Sequence, residues 1–257
     1  MKFRKMHGLG NDFVIFDARE QNIILMPEDM ELIADRHWGV GCDQLVIIDV
    51  SEKADVSVYF FNADGSESGA CGNATRCVAD LIMNESGQDT CSIEVTGGIL
   101  NSRKVGDMLV QVDMGAAKAV SDLDLSKDSV SNPVSVDMGN PHCVFFVDDL
   151  ASIDIVGLGA HFEVHEMFPD RTNVEFVEVK DKGHLRQKTW ERGVGVTEAC
   201  GSGACAVAVA AVRRGLSDRK VKIELDGGVL EIELDENDHV LMSGPVAYVF
   251  EGQLQEA

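Results

Sequence analysis

Positive charge is scarce in this chain, with 22 lysines and arginines against 44 aspartates and glutamates, a formal charge of −22 over 257 residues. That deficit argues against nucleic acid and anionic membrane surfaces as partners, since both require clustered cations. It also means that a carboxylate-bearing ligand needs local positive potential to offset the overall field. Long apolar runs are missing as well, and none approaches the ~20 residues needed to span a bilayer. The opening Met1-Lys2-Phe3-Arg4-Lys5-Met6-His7-Gly8 has no apolar stretch of the signal-peptide kind. The seven cysteines are an odd number, and none stands in C-x-x-C spacing: Cys71 and Cys77 are C-x5-C, Cys200 and Cys205 C-x4-C. Thioredoxin-like and zinc-ligand patterns are therefore absent, no metal is expected, and reduced thiols in the cytoplasm are the expected state. With only five prolines and no shift in composition, nothing marks a flexible linker.

What is present is the composition of a globular protein, 45% hydrophobic and 26% charged, carrying an internal duplication. Ala70-Cys71-Gly72-Asn73-Ala74 returns as Ala199-Cys200-Gly201-Ser202-Gly203, 129 positions later. At the same offset Gly10-Asn11 matches Gly139-Asn140, Gln44 matches Asn173, and Asn62 matches Glu191. One residue later in phase, Ile93-Glu94-Val95-Thr96-Gly97-Gly98-Ile99-Leu100 matches Ile223-Glu224-Leu225-Asp226-Gly227-Gly228-Val229-Leu230. A chain doubled in this way is expected to fold as two similar halves about a pseudo-twofold axis, each bringing one thiol to a shared cleft.

Strand-like runs cover Val14-Ile15-Phe16, Leu45 to Val50, Val56 to Phe61 and Val144-Phe145-Phe146-Val147, all rich in β-branched and aromatic residues. Pro27 suits the first position of a helix over Glu28 to about Arg36. Ala74 to about Met83 and Gly203 to about Arg214 are Ala-rich, lack proline and predict helices; the second is apolar almost all round and so enclosed. Each is followed by a hairpin signature at Gly97-Gly98 or Gly227-Gly228. The expected fold class is α/β of the α+β kind. Each pseudo-symmetric half is a mixed, mostly antiparallel curved sheet around a central helix.

Both duplicated cysteines stand at the start of an expected helix, beside small residues that leave backbone N–H groups uncovered. Partial positive charge at a helix N-terminus lowers a thiol pKa and offers donors to a carboxylate. A single cysteine there is an ordinary small residue; two at duplicated positions are not required by packing. Cys42, Cys77, Cys91, Cys143 and Cys205 read as buried or incidental. Asn11, Asn140, Gln44, Asn173, Asn62 and Glu191 each fit local turn chemistry alone, and as a registered set they fit a ring around a polar ligand. Arg192 reads either as a surface ion pair or as a bidentate grip on a second carboxylate. His142 reads as a core histidine, or with Glu191 as a group that sets a thiol's protonation.

These phrases resemble the diaminopimelate epimerase family: Met6-His7-Gly8-Leu9-Gly10-Asn11-Asp12-Phe13, Phe61-Asn62-Ala63-Asp64-Gly65-Ser66, Cys71-Gly72-Asn73, Met138-Gly139-Asn140-Pro141-His142-Cys143, Trp190-Glu191-Arg192-Gly193 and Ala199-Cys200-Gly201-Ser202-Gly203-Ala204-Cys205. The resemblance runs from residue 1 to about 250 in the same order. It implies a cofactor-independent isomerase, without pyridoxal phosphate, that interconverts LL- and meso-diaminopimelate. By position, Cys71 and Cys200 would be the acid/base thiols. Gly72, Asn73, Gly201 and Ser202 would bind the reacting carboxylate. Asn11, Gln44, Asn62, Asn140, Asn173, Glu191 and Arg192 would hold the rest of the substrate, and His142 and Glu191 would tune the thiols. The implied domains are 1–117 with a returning C-terminal strand over 246–257, and 118–245. The implied partners are a small amino-acid substrate and at most a second copy of the chain in a homodimer. Ala74 stands where the family usually has Gly, and Val196 where it usually has Glu. A related racemase acting on another amino acid is the alternative.

Overall fold

The structure is a computed structural model that describes residues 1–69 and 71–255. Ala70 of the first cysteine phrase and the last two positions of the 246–257 return lie outside the described residues. The chain divides into two compact units: Met1–Val112 with the segment from Gly244 onward, and Asp113–Ser243.

In the first unit, β1 (Lys2–Gly8) and β2 (Asn11–Asp17) form an antiparallel hairpin in which Gly8 faces Asn11. Its two turn residues, Leu9 and Gly10, both have positive φ, 57° and 86°, the conformation of a tight I′ turn. Helix α1 (Pro27–Ala34) starts at the expected proline and ends two residues early, where Asp35 turns extended. Strand β3 (Gln44–Asp49) runs parallel to β2, and β4 (Val56–Asn62) antiparallel to β3. The short β5 (Glu67–Ser68) leads to α2 (Gly72–Ser86), whose buried face includes Ala74, Cys77, Val78, Ile82 and Met83. Gly87, at φ 69°, closes α2 in the left-handed conformation that glycine adopts without steric cost. Next come β6 (Thr90–Val95), parallel to β4, then β7 (Gly98–Gly106) and β8 (Leu109–Ala116). The C-terminal strand, Ala247–Gln253, pairs antiparallel with β1, and the Met1 amino group donates to the Leu254 carbonyl at 2.9 Å.

The second unit contains β9 (Ala119–Asp122), the small ribbon β10 (Ser126–Lys127) and β11 (Val130–Ser131), β12 (Val134–Asp137) and β13 (Pro141–Val147). Helix α3 (Ile155–Glu163) follows, then β14 (Asn173–Asp181), β15 (His184–Glu191) and β16 (Gly195–Thr197). Helix α4 (Gly201–Arg213) leads into β17 (Lys220–Leu225), β18 (Gly228–Leu234) and β19 (His239–Pro245).

The duplication recurs in the strand registers. Phe13 faces Gln44 in a parallel pair, as His142 faces Asn173. Leu45 faces Phe61 in an antiparallel pair, as Val174 faces Trp190. Val56 faces Ile93 in parallel, as Leu185 faces Ile223, and each hairpin then closes at Val95↔Gly98 or Leu225↔Gly228. The expected mixed, mostly antiparallel sheet around a buried helix is what each unit forms.

Small side chains explain how close α4 lies to its sheet. Ala204, Cys205, Ala206, Val207, Ala208, Ala210 and Ala211 are all buried, so the helix backbone approaches the strands directly. The other side of the second unit is aromatic: Phe145 stacks on Phe176 at 5.7 Å and meets Phe162 at 4.6 Å between ring centroids. All three rings are fully buried. Phe145→Ala is expected to destabilise the protein by about 3–5 kcal/mol in urea denaturation, because ring transfer energy and cavity cost add.

Candidate active site

Cys71 and Cys200 are the N-cap residues of α2 and α4, with extended backbones at φ −139° and −111°. Their carbonyls accept the first helical bonds, from Thr75 N–H at 2.8 Å and Ala204 N–H at 3.0 Å. The first turns of both helices therefore direct N–H groups outward past each sulfur. The expected helices begin two residues earlier than the Ala-rich pattern alone suggested, because Gly72-Asn73 and Gly201-Ser202 form their first turns.

In the first unit Asn11 and Asn73 join at Cys71, and Gln44 and Asn62 pair with each other. Asn11 Oδ1 accepts from Asn73 Nδ2 at 3.1 Å and from Cys71 Sγ at 3.8 Å, and Asn11 Nδ2 donates to Asp43 at 2.9 Å. Asn73 Oδ1 in turn receives the fully buried Arg76 guanidinium at 2.9 Å. Gln44 Nε2 donates to Asn62 Oδ1 at 3.0 Å across the paired β3 and β4, and Asn62 Nδ2 donates to Ser66 Oγ at 3.0 Å. Beneath them lies a charged network. Asp12 meets Lys5 at 2.6 Å and Arg36 at 2.8 Å, and Arg36 also reaches Asp43 at 2.8 Å. Burial by itself would raise the Asp12 carboxyl, but hydrogen bonds and charge from Arg36 and Lys5 overcome it and hold the group at about 2.

The second unit collects its set around the starts of β13 and β14, the end of β15 and the first turn of α4. Asn140 Nδ2 donates to Ser202 Oγ at 3.3 Å, and Asn140 Oδ1 lies 3.0 Å from His142 Nε2. His142 Nδ1 lies 2.7 Å from Glu175 Oε1, with both side chains fully buried. Asn173 Nδ2 donates to the Pro141 carbonyl and its Oδ1 accepts from the Arg192 backbone N–H, each at 3.0 Å. Thr197 Oγ1 donates to Glu191 Oε1 at 2.5 Å. The exposed Arg192 guanidinium donates to the Asp170 carbonyl at 3.0 Å. Cys200 Sγ accepts from Gly203 N–H at 3.3 Å and lies 3.6 Å from Ser202 Oγ.

One expectation fails here. The position ahead of α4 predicts a lowered thiol pKa, yet Cys200 is raised well above the ordinary thiol value. Burial is the largest cause and the nearby Glu191 and Glu175 add to it, against smaller opposing hydrogen bonds from Ser202 and Gly203. A helix N-terminus supplies only a fraction of a charge, which desolvation and two carboxylates outweigh. Burial likewise raises Glu191, with the Glu175 charge adding to it, while Thr197, His142 and Cys200 hold it back. Cys42, Cys77, Cys91, Cys143 and Cys205 are buried, as expected. Among the described residues no group of three or more His, Cys, Asp or Glu side chains is placed to hold a metal ion.

Sequence reasoning missed Glu175, Gln187, Thr197, Asp43 and Arg76. Glu175 and Gln187 are fully buried polar side chains on neighbouring strands, facing α4. Val174 and Phe176 beside Glu175 are also buried, so β14 shows no polar–apolar alternation to single out the glutamate. The usable signal was a carboxylate inside a strand covered on both faces.

A family profile described as diaminopimelate epimerase matches residues 3–120 and 134–249. The diaminopimelate epimerase of Acidiphilium cryptum is 48% identical over 99% of this chain and 96% of its own length. That of Rhodospirillum centenum is 48% identical, covering 99% and 92%. This chain belongs to the diaminopimelate epimerase family. The fold of the diaminopimelate epimerase family extends to more distant proteins. A phenazine biosynthesis protein of the PhzF family from Bacillus anthracis superposes with a TM-score of 0.75 at 16% identity, over 100% of this chain and 99% of its own. Against the family pattern, Ala74 is fully buried within α2, while Val196 is exposed on β16.

A Cβ built on Gly203 would lie 2.8 Å from Glu175 Oε1, 3.1 Å from Gln187 Nε2 and 3.2 Å from Cys200 Sγ. Gly203→Ala is expected to cost about 1–3 kcal/mol in urea denaturation, as overpacking does. Gly97→Ala, where nothing lies within 4 Å, should be close to neutral. Asp12 contributes stability that is fully present above the ordinary carboxylate pKa and is lost as pH falls toward about 2. Acid titration of unfolding should therefore show Asp12→Asn less stable than the native chain at neutral pH by up to about 2 kcal/mol. The gap should narrow between pH about 4 and about 2.

Proposed function

We propose that this chain is a diaminopimelate epimerase that inverts one α-carbon of its substrate, converting LL- to meso-diaminopimelate and back, on the route to lysine and peptidoglycan. Inversion needs a base on one face of the carbon and an acid on the other. Cys71 and Cys200 take these parts. A thiolate removes the α-proton while the other thiol delivers its own, so total charge is unchanged and the two sulfurs exchange roles on reversal. The observation that supports this most directly is the pair of cysteine N-caps on α2 and α4, at duplicated positions in units of equivalent strand register.

As the proton leaves, negative charge spreads into the adjacent carboxylate. The N–H groups of Gly72-Asn73 and Gly201-Ser202 receive that carboxylate, and such preorganised donors lower the barrier where charge develops. Asn11, Gln44, Asn62, Asn140, Asn173 and Glu191 hold the remaining polar atoms, with Arg192 on the distal carboxylate. His142 and Glu191 set the protonation of the Cys200 thiol. A cytoplasmic location and a homodimer belong to the same reading. Light scattering tests the homodimer, and fractionation of the cells tests the location.

In D2O under reducing conditions, NMR of LL-diaminopimelate with the protein should show deuterium entering at the α-carbon as the meso form appears. Cys71→Ser and Cys200→Ser should each lower that rate by at least about a thousandfold while the fold persists by circular dichroism. Undiminished epimerisation in either variant would sink the reading. Arg192→Ala should raise KM for diaminopimelate; if it does not, and another amino acid exchanges faster in a substrate panel, the enzyme is a racemase for that amino acid.

A further inference from the structure

The two duplicated amides, Asn11 and Asn140, are turned in opposite senses by carboxylates that are not themselves duplicated. In the second unit, Asn140 Nδ2 donates to Ser202 Oγ at 3.3 Å, which leaves Asn140 Oδ1 facing His142 Nε2 at 3.0 Å. An amide oxygen only accepts, so His142 Nε2 carries a proton. The opposite ring nitrogen lies 2.7 Å from Glu175 Oε1. One proton occupies that gap, on the ring or on the carboxyl, and with either placement Nε2 keeps its own. Ser202 Oγ, having accepted from Asn140, is left with a hydrogen to give, and Cys200 Sγ is 3.6 Å away. The Gly203 N–H points at the same sulfur from 3.3 Å. Every link of this chain donates toward Cys200.

In the first unit the sense is reversed. Asp43 accepts from Asn11 Nδ2 at 2.9 Å and is itself held by Arg36 at 2.8 Å. A carboxylate accepts only, so it takes the NH2 side of the amide. Asn11 Oδ1 is thereby aimed at Asn73 Nδ2, at 3.1 Å, and at Cys71 Sγ, at 3.8 Å. An oxygen in that position can only accept, so the contact with Cys71 runs from S–H to oxygen.

We propose that Glu175 is a positioning residue which, through His142 and Asn140, directs donors at Cys200, while Asp43, through Asn11, directs an acceptor at Cys71. The two sulfurs thus meet opposite partners, with donors from Ser202 and Gly203 aimed at Cys200 and the Asn11 oxygen aimed at Cys71. The kinetic consequence rests on the epimerase reading; the proton placement does not.

The test is 15N NMR of the protein labelled at its histidine rings, with His142 assigned by the loss of its signals in His142→Gln. The native protein should show a protonated Nε2 at His142. Glu175→Gln can donate an amide N–H to Nδ1 and should keep that tautomer, with kcat within about threefold of native. Glu175→Leu removes the anchor; His142 should become a mixture of tautomers and kcat should fall by at least about tenfold, with KM within about twofold. A bare Nε2 in the native protein overturns the proposal, as does Glu175→Leu with unaltered His142 signals and kcat. If the leucine variant fails to fold, the native and glutamine spectra still decide. Absence of α-proton exchange in the native protein would count against the epimerase reading, while the ring spectrum would still judge the relay.

Discussion

The first turn of α4 lies so near β14 and β15 that a Cβ at position 203 would press on Glu175, Gln187 and Cys200, and the polar system around Cys200 depends on that approach. It buries Glu175 and Gln187 completely, and among the described residues Glu175 Oε2 and Gln187 Oε1 have no hydrogen-bond partner. An unsatisfied buried acceptor costs on the order of 1–3 kcal/mol. Packing alone would favour apolar residues at both positions. Polar burial retained against such a cost concentrates where chemistry needs it. Here it surrounds a sulfur whose ionisation responds to every neighbouring charge and donor.

Much of this was legible in the chain itself because the duplication leaves a repeated spelling. Gly-Asn, the Cys-Gly phrases and the Gly-Gly hairpins each occur twice at nearly constant spacing, and the strand registers repeat with them. Helix starts were placed within two residues, the discrepancy arising because Gly72 and Gly201 carry little helical preference of their own. Asn11, Asn140, Gln44, Asn173, Asn62 and Glu191 stood out as polar residues registered with the cysteines.

Glu175 and Asp43 did not stand out, since neither has a carboxylate at the matching position of the other half: Val46 and Thr172 stand there. A search for symmetry cannot find what breaks it. The ionisation of Cys200 was misjudged for a related reason. Helix position can be read from local sequence, whereas burial and the carboxylates of Glu175 and Glu191 come from strands β14 and β15, well away in the chain. The Lys5–Asp12–Arg36 network was invisible for the same cause, as its members join two strands, β1 and β2, to the loop beyond α1.

The closure of β1 by the segment Ala247–Gln253 bears on how the molecule is made. During synthesis the residues of the second unit leave the ribosome before the strand that completes the first. Until then β1 offers a bare edge, with Phe3 uncovered by its later neighbours Phe250 and Gly252. Nascent chains halted shortly before Ala247 would therefore carry a sticky margin suited to chaperone capture.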